Sequence, residues 1–197
     1  MKKWIIPVVI IVAIIAIIGF WVAGVKNGAI GKNQSVAKSW GDVETAYQRR
    51  NDLIDNLVKT VEGAANFEKG TLTAVTEARA KASSIQVDAA NATPEQLEAF
   101  GRAQSGVQST FSRLLATVEN YPTLQSNQNF LKLQDELAST ENTIQTSRTR
   151  YNETVQEYNN YILKFPNSIF LGQYKEKPYF NSVEGADKPV DVNFNIK

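Results

Sequence analysis

Residues 36–64 read VAKSWGDVETAYQRRNDLIDNLVKTVEGA, and this stretch decides the fold. Steps of four and three pick out Val36, Trp40, Val43, Tyr47, Arg50, Ile54, Leu57, Val61 and Ala64. Side chains at that spacing share one face of an α-helix and form a seam that packs on another helix. Only Arg50 interrupts its apolar character. A charged residue on a buried face needs a partner, and Glu141 and Glu153, on a later helix expected to run antiparallel, are the candidates. Such a pair fixes register more reliably than it adds stability.

The same period recurs downstream. Residues 71–90 place Leu72, Val75, Ala78, Ala82 and Ile85 on one face. Gly70-Thr71 reads as a helix stop followed by an N-cap, although an isolated glycine inside a long helix is also tolerated. Thr93-Pro94-Glu95-Gln96 carries a capping-box pattern with proline at the first helical position. It opens a helix with Leu97, Phe100, Gln104, Val107, Phe111, Leu114, Val118 and Tyr121 on its seam, ended by Pro122 near Asn120. From about Asn127 to Lys164, Phe130, Leu133, Leu137, Thr140, Ile144, Ser147, Tyr151, Thr154, Tyr158, Tyr161 and Phe165 hold the spacing until Pro166. The expected fold is all-α: an up-and-down bundle of four helices, or of three with one very long helix if the chain does not break at Gly70.

Upstream, residues 4–25 read WIIPVVIIVAIIAIIGFWVAGV without a charge, between Lys2-Lys3 and Lys26. A helix of that run is about 33 Å long, enough to cross a hydrocarbon core of about 30 Å. Trp4 and Trp21 sit near its two ends, where indoles favour the headgroup level. A cleaved signal peptide is the alternative, but signal cores are shorter and Ala23-Gly24-Val25 is a poor cleavage site. Lysines flank the run on both sides, so orientation stays open. Gly19, Ala23 and Gly24 make the end of this helix small enough for close packing with another span. The organisation expected is a flank over 1–3, a transmembrane helix over 4–25, a juxtamembrane segment over 26–33, the bundle over 34–165 and an irregular tail over 166–197. In the tail, Val190, Val192, Phe194 and Ile196 alternate as one face of a strand would, docking on its own bundle, pairing with another chain, or fraying.

Composition narrows the chemistry. With 21 basic and 20 acidic residues the net charge is +1, which offers nucleic acid no attractive field. The sequence has no His and no Cys, which removes the commonest general base and the His-based zinc and di-iron sites. No Gly-rich phosphate loop is present. Arg49, Asp52 and Asp55 share a helix face and read as surface ion-pair support, and Glu62, Glu68 and Glu77 as solvated charges. Tyr151-Asn152 and Tyr158-Asn159 repeat at seven residues; the tyrosines fall on the seam, and the asparagines are candidates for a polar ladder with Asn56 or Gln48, or for a stripe that binds a partner helix.

Several segments are more specific than helix periodicity requires. They are residues 46–58 (AYQRRNDLIDNLV), Glu77-Ala78-Arg79, Tyr121-Pro122-Thr123-Leu124 and Asn129-Phe130. With them go Thr140-Glu141-Asn142, Ile144, Arg148, Tyr151-Asn152, Val155, Tyr158-Asn159 and Phe165-Pro166. Joined to one N-terminal apolar segment, they make the chain resemble the LemA family over nearly its whole length, to about Phe180. Asp55 departs from the family's usual proline and keeps the helix N–H. The resemblance implies a single-pass protein of the bacterial cell membrane with a helical bundle, no enzymatic activity and no cofactor, in a family whose function is uncharacterised. No catalytic or metal-binding residues carry over. The expected partners are the lipid bilayer, further copies of the chain and other membrane proteins, with no nucleic acid or small-molecule substrate. Trp40, Tyr47, Arg50, Asn56, Glu141, Arg148, Tyr151, Asn152, Tyr158 and Asn159 are the interaction candidates, together with the tail residues Val190, Val192, Phe194 and Ile196.

Overall fold

The computed structural model describes residues 4–63, 68–89 and 91–180. Its helices are α1 (Ile5–Glu62), α2 (Lys69–Ser83), α3 (Pro94–Val118), the single turn α4 (Pro122–Gln125) and α5 (Gln128–Leu163), followed by a 3-10 turn at Asn167–Ile169. Among the described residues there is no strand. The alternating residues Val190, Val192, Phe194 and Ile196, and Ala64 at the end of the first seam, lie outside the described residues.

α1 is one unbroken helix of 58 residues, about 87 Å at 1.5 Å per residue. The expected juxtamembrane segment over 26–33 is therefore helical and continuous with both its neighbours. The first twenty residues of α1 are apolar and, apart from the half-buried Val22, exposed, long and apolar enough to cross a membrane. From Val25 onward one face is buried, and Val36, Trp40, Val43, Tyr47, Arg50, Ile54, Leu57 and Val61 all lie on it as the spacing predicts.

The chain does break between the first two helices, but ahead of the expected place. α1 ends at Glu62, and Gly70 and Thr71 lie inside α2, so Thr71 is not its N-cap. Starting at Lys69 delivers Leu72 and Val75 to the core within the first two turns, while Gly70 stays exposed near a helix end, where its entropic cost is small. The capping box of α3 is present: the Gln96 amide donates to Thr93 Oγ1 at 3.3 Å, and the Thr93 amide to Gln96 Oε1 at 3.0 Å. Asn127 caps α5 by accepting from the amides of Asn129 and Phe130.

α1 packs antiparallel on α5 along most of its length, and α2 packs on α3. Four contacts set the register of the long pair: Val25 opposite Tyr161, Lys32 opposite Glu157, Ser39 opposite Thr154 and Arg50 opposite Glu141. At Gly28 the helices approach closely; a Cβ there would lie 2.7 Å from Tyr161 Cζ. Late in α5 the buried positions become Tyr151, Val155, Tyr158 and Ile162, whereas a strict three-four count selects Thr154, Tyr161 and Phe165. A helix of 3.6 residues per turn drifts about 20° per heptad against a 3.5 repeat, so five heptads displace the seam by about one residue. Phe165, the last seam residue expected, is exposed.

Two apolar cores stack along the rod. The one nearer the N-terminal span joins Val25, Ala29, Val36, Trp40, Val43 and Tyr47 of α1 to Phe100 of α3, Tyr151, Val155, Tyr158 and Ile162 of α5, and Leu171 and Phe180 of the tail. The far one joins Leu53, Ile54, Leu57 and Val61 to Leu72, Val75, Val107, Phe111, Leu114, Phe130 and Leu137. Buried polar residues Arg50, Asn51, Gln104 and Thr140 fall near the change from one to the other. Across from α3, Asp55 meets Lys59 at 2.7 Å and Arg79 of α2 at 3.0 Å, tying α2 to α1. The Lys59 ammonium, with Arg79 beside it, holds the Asp55 carboxyl below the usual carboxylate range.

Candidate interaction site

Arg50 is 3% exposed. Its guanidinium donates to Gln104 Oε1 at 2.6 Å, to the Gln104 carbonyl at 3.1 Å and to Glu141 Oε2 at 3.4 Å. The sequence offered Glu141 or Glu153; the structure selects Glu141, and Glu153 is exposed. The closest partner is Gln104, which sequence reasoning placed only as a seam position. A signal for it was present: Gln104 is the polar exception in the α3 seam, as Arg50 is in that of α1. Arg50 also lies over the Tyr47 ring at 4.9 Å. Cavities open on both sides of this layer. One, about 540 Å³, is lined by Tyr47, Gln48, Asn51, Phe100 and Gln104; the other, about 250 Å³, by Arg50, Ile54, Phe111, Leu137 and Glu141.

Next to the layer, Trp40 anchors an aromatic cluster. Its ring meets Phe100 and Tyr151 edge-on, both at 5.3 Å between centroids, and stacks on Phe180 at 6.1 Å. Tyr47 meets Phe100 at 5.2 Å, and Arg148 covers Phe180 at 4.3 Å. Burial pushes the Tyr47 hydroxyl above its ordinary pKa, with the guanidinium groups of Arg148 and Arg50 opposing that rise.

Phe180 arrives on a strap, residues 171–180, that runs back along α5. Two asparagines hold it by its main chain. Asn159 donates from Nδ2 to the Lys177 carbonyl at 2.9 Å and accepts the Lys177 amide at 2.8 Å. Asn152 does the same with Phe180, at 3.0 and 2.8 Å. Each carboxamide thus pairs with one residue's N–H and C=O as a neighbouring strand would. The Tyr151 hydroxyl adds a bond to the Pro178 carbonyl at 3.1 Å, and Lys177 Nζ reaches the Ala89 carbonyl at 3.4 Å. These contacts correct the expected polar ladder. Asn152 and Asn159 turn to the tail, Asn56 is exposed on α1, and Gln48 bonds Asp52 on its own helix at 2.8 Å. Of the expected residues, Trp40, Tyr47, Arg50, Glu141, Arg148, Tyr151 and Asn152 gather around one centre, and Tyr158 and Asn159 extend it toward the span. Phe180 and the strap carried no periodic signal in the sequence.

Replacing Asn152 and Asn159 together by alanine removes four bonds of about 1 kcal/mol each, so strap release becomes easier by roughly 4 kcal/mol. Trypsin cleavage after Lys175 is expected to accelerate at least about tenfold with helix content unchanged. Equal cleavage rates in the two proteins would refute the clamp.

Burial raises the Tyr151 pKa to about 12 and shifts Tyr158 in the same direction. A phenol whose folded pKa exceeds its unfolded value stabilises fully below about pH 10, and that contribution is lost as pH rises toward 12. For the fully buried Tyr151 the loss is roughly 2 kcal/mol. Lys177, whose pKa burial lowers, works weakly the other way, because its charge is penalised until it deprotonates. Urea midpoints between pH 9 and 11.5 are expected to fall, less steeply in Tyr151→Phe; identical slopes would contradict this.

Among the described residues no three acidic side chains cluster as metal ligands. Arg49, Asp52, Glu62, Glu68 and Glu77 are all exposed, but the ion pairs expected of Arg49 with Asp52 and Asp55 give way to others: Asp55 pairs with Lys59 and Arg79, and Asp52 accepts from Gln48. What the centre offers is a buried aromatic core and buried hydrogen bonding that fix how α1, α3, α5 and the strap meet.

The chain is 27% identical to the magnetosome protein MamQ 2 of Paramagnetospirillum magneticum, with 83% of this chain and 67% of that protein covered. It is 27% identical to the magnetosome protein MamQ of Magnetospirillum gryphiswaldense, with 75% and 61% covered. It is 26% identical to Protein LemA of Metamycoplasma hominis, with 77% and 65% covered, so it spans about two thirds of each relative's length. Residues 39–194 match the LemA family, a stretch that takes in the Arg50 layer, the aromatic cluster and the strap, and the chain belongs to that family.

Proposed function

We propose that this protein is a non-enzymatic scaffold, anchored in a membrane by residues 4–25, whose bundle works by contact with further copies of itself or with other membrane proteins. The observation that carries the reading is the continuity of α1. One helix runs from the apolar segment into the bundle core without a hinge, and α5 grips it from Val25 onward through Tyr161, Gly28 and the Lys32–Glu157 pair. A rod of that build holds its faces at a set height and angle above a bilayer, which suits assembly. Two of its relatives are named as magnetosome proteins, and by analogy the bacterial cell membrane or an internal membrane is the proposed location.

The same continuity favours a second reading, a sensor or adaptor that passes movement between the span and the bundle. The two separate experimentally. The natural chain has no cysteine, so single Lys38→Cys and Gln48→Cys variants at exposed positions report contacts cleanly in membranes. A scaffold yields cross-linked species of fixed size at either position, irrespective of stimulus. A strict monomer at both, or turnover of a substrate by the purified protein, would overturn it. Cross-links that change with conditions while total oligomer stays constant would favour the sensor.

A further inference from the structure

The end of α5 and the turn after it form an apolar lip level with the last turns of the N-terminal apolar segment. Phe170 meets Trp21 edge-on at 5.2 Å, and the Tyr161 hydroxyl bonds the Val25 carbonyl at 3.1 Å. Trp21 and Val25 both belong to the uncharged run over 4–25. On this lip Leu163, Phe165 and Ile169 are 55%, 77% and 65% exposed. Apart from residues 4–21, few large apolar side chains among the described residues are exposed, and three of them lie within these seven positions. Lys164 beside them and Lys26 on α1 are exposed as well, placed as basic side chains are where an apolar surface meets lipid headgroups.

We propose that residues 163–170 are a second membrane contact: a lip whose Leu163, Phe165 and Ile169 enter the headgroup and upper acyl region of the bilayer that α1 crosses. The occupant is lipid, because the surface continues the apolar span through the Trp21–Phe170 contact. A peptide segment sharing the depth of Trp21 lies at the headgroup level, with the upper acyl chains directly beneath it. The lip gives the rod two footholds, so the bundle stands at a defined tilt instead of swivelling on one helix. It also explains why Phe165, the last residue of an apolar seam, faces outward: at that level the surroundings replace the core.

This inference rests on residues 4–25 spanning the bilayer, and the test separates the two. The full chain is reconstituted in phosphatidylcholine–phosphatidylglycerol vesicles as single-cysteine variants Phe165→Cys, Ile169→Cys, Leu131→Cys and Ile15→Cys. Each is labelled with an environment-sensitive fluorophore and exposed to lipids spin-labelled at shallow or deep acyl positions. Leu131, exposed near the far end of α5, lies about 48 Å along that helix from Leu163 and serves as the dry control. The expected result is quenching at 165 and 169 by the shallow label, at least about twofold above Leu131, with Ile15 quenched by the deep label. Quenching at Ile15 but only Leu131-level quenching at 165 and 169 would overturn the lip and leave the anchor standing. Blue-shifted emission at 165 and 169 without lipid quenching would overturn it in favour of a second copy covering the surface. No quenching at Ile15 would remove the anchor and the lip together.

Discussion

Trp40→Ala is expected to cost about 3–5 kcal/mol of bundle stability. The indole is 2% exposed and touches α3 through Phe100, α5 through Tyr151 and the strap through Phe180. Removing it opens a cavity walled by three rings on three different elements. Those walls cannot close over the space, because Tyr151 is held by its bond to Pro178, and Phe180 by the Asn152 clamp and the Arg148 guanidinium. Trp40→Phe keeps an aromatic contact and should lose markedly less, near the low end of core truncations at about 1–2 kcal/mol. Urea unfolding of the detergent-solubilised full chain, followed by far-ultraviolet circular dichroism, measures both. A loss below about 1 kcal/mol for the alanine variant would mean that the cluster is not a keystone of the near core.

Arg50 is the second large effect. Arg50→Ala strands Gln104 Oε1 in the interior and leaves a void beside Ile54, at an expected cost of about 3–5 kcal/mol. Arg50→Leu fills the void but still orphans Gln104, so it should lose roughly 2 kcal/mol. The double substitution Arg50→Leu/Gln104→Leu removes the orphan; Glu141, half in solvent, stays hydrated. Most of the lost stability should return, giving strong coupling in a double-mutant cycle. The gain in stability is expected to come with a broadened size-exclusion profile, because the Arg50–Glu141 contact is one of the four that hold α1 and α5 in register. If the double variant is no more stable than Arg50→Leu, or remains a single sharp species, the register role fails.

The two effects were legible to different degrees: Trp40 is an ordinary seam residue, whereas Arg50 stands out as an exception. Arg50 breaks an otherwise apolar seam, and the physics of a buried charge then demands a partner on a facing helix. Glu141 was within reach of that argument because an antiparallel α5 brings it opposite. Gln104 belonged to a helix whose position relative to Arg50 depends on how the α2–α3 pair docks. The asparagines of the seven-residue repeat mislead for a related reason. Their spacing says that they lie together on α5, but not whether another helix or the chain's own tail lies against them. The break ahead of α2 shows a further limit of local rules: glycine marks where a helix is able to stop, yet Gly70 is carried inside α2, whose first turns bury Leu72 and Val75.

The all-α class, the buried faces of α1 and α3, the capping box of α3 and the presence of a membrane-length apolar run all follow from residue spacing and composition. Those features arise from interactions between residues three or four apart, or from the length of the run itself. The fusion of that run with the first bundle helix, the Gln104 partner of Arg50, the main-chain clamp on the strap and the outward lip at Phe165 came from the folded arrangement. Apart from that fusion, where neighbouring residues simply continue one helix, each depends on which surfaces meet across more than fifty residues of chain, or on a tail with no period.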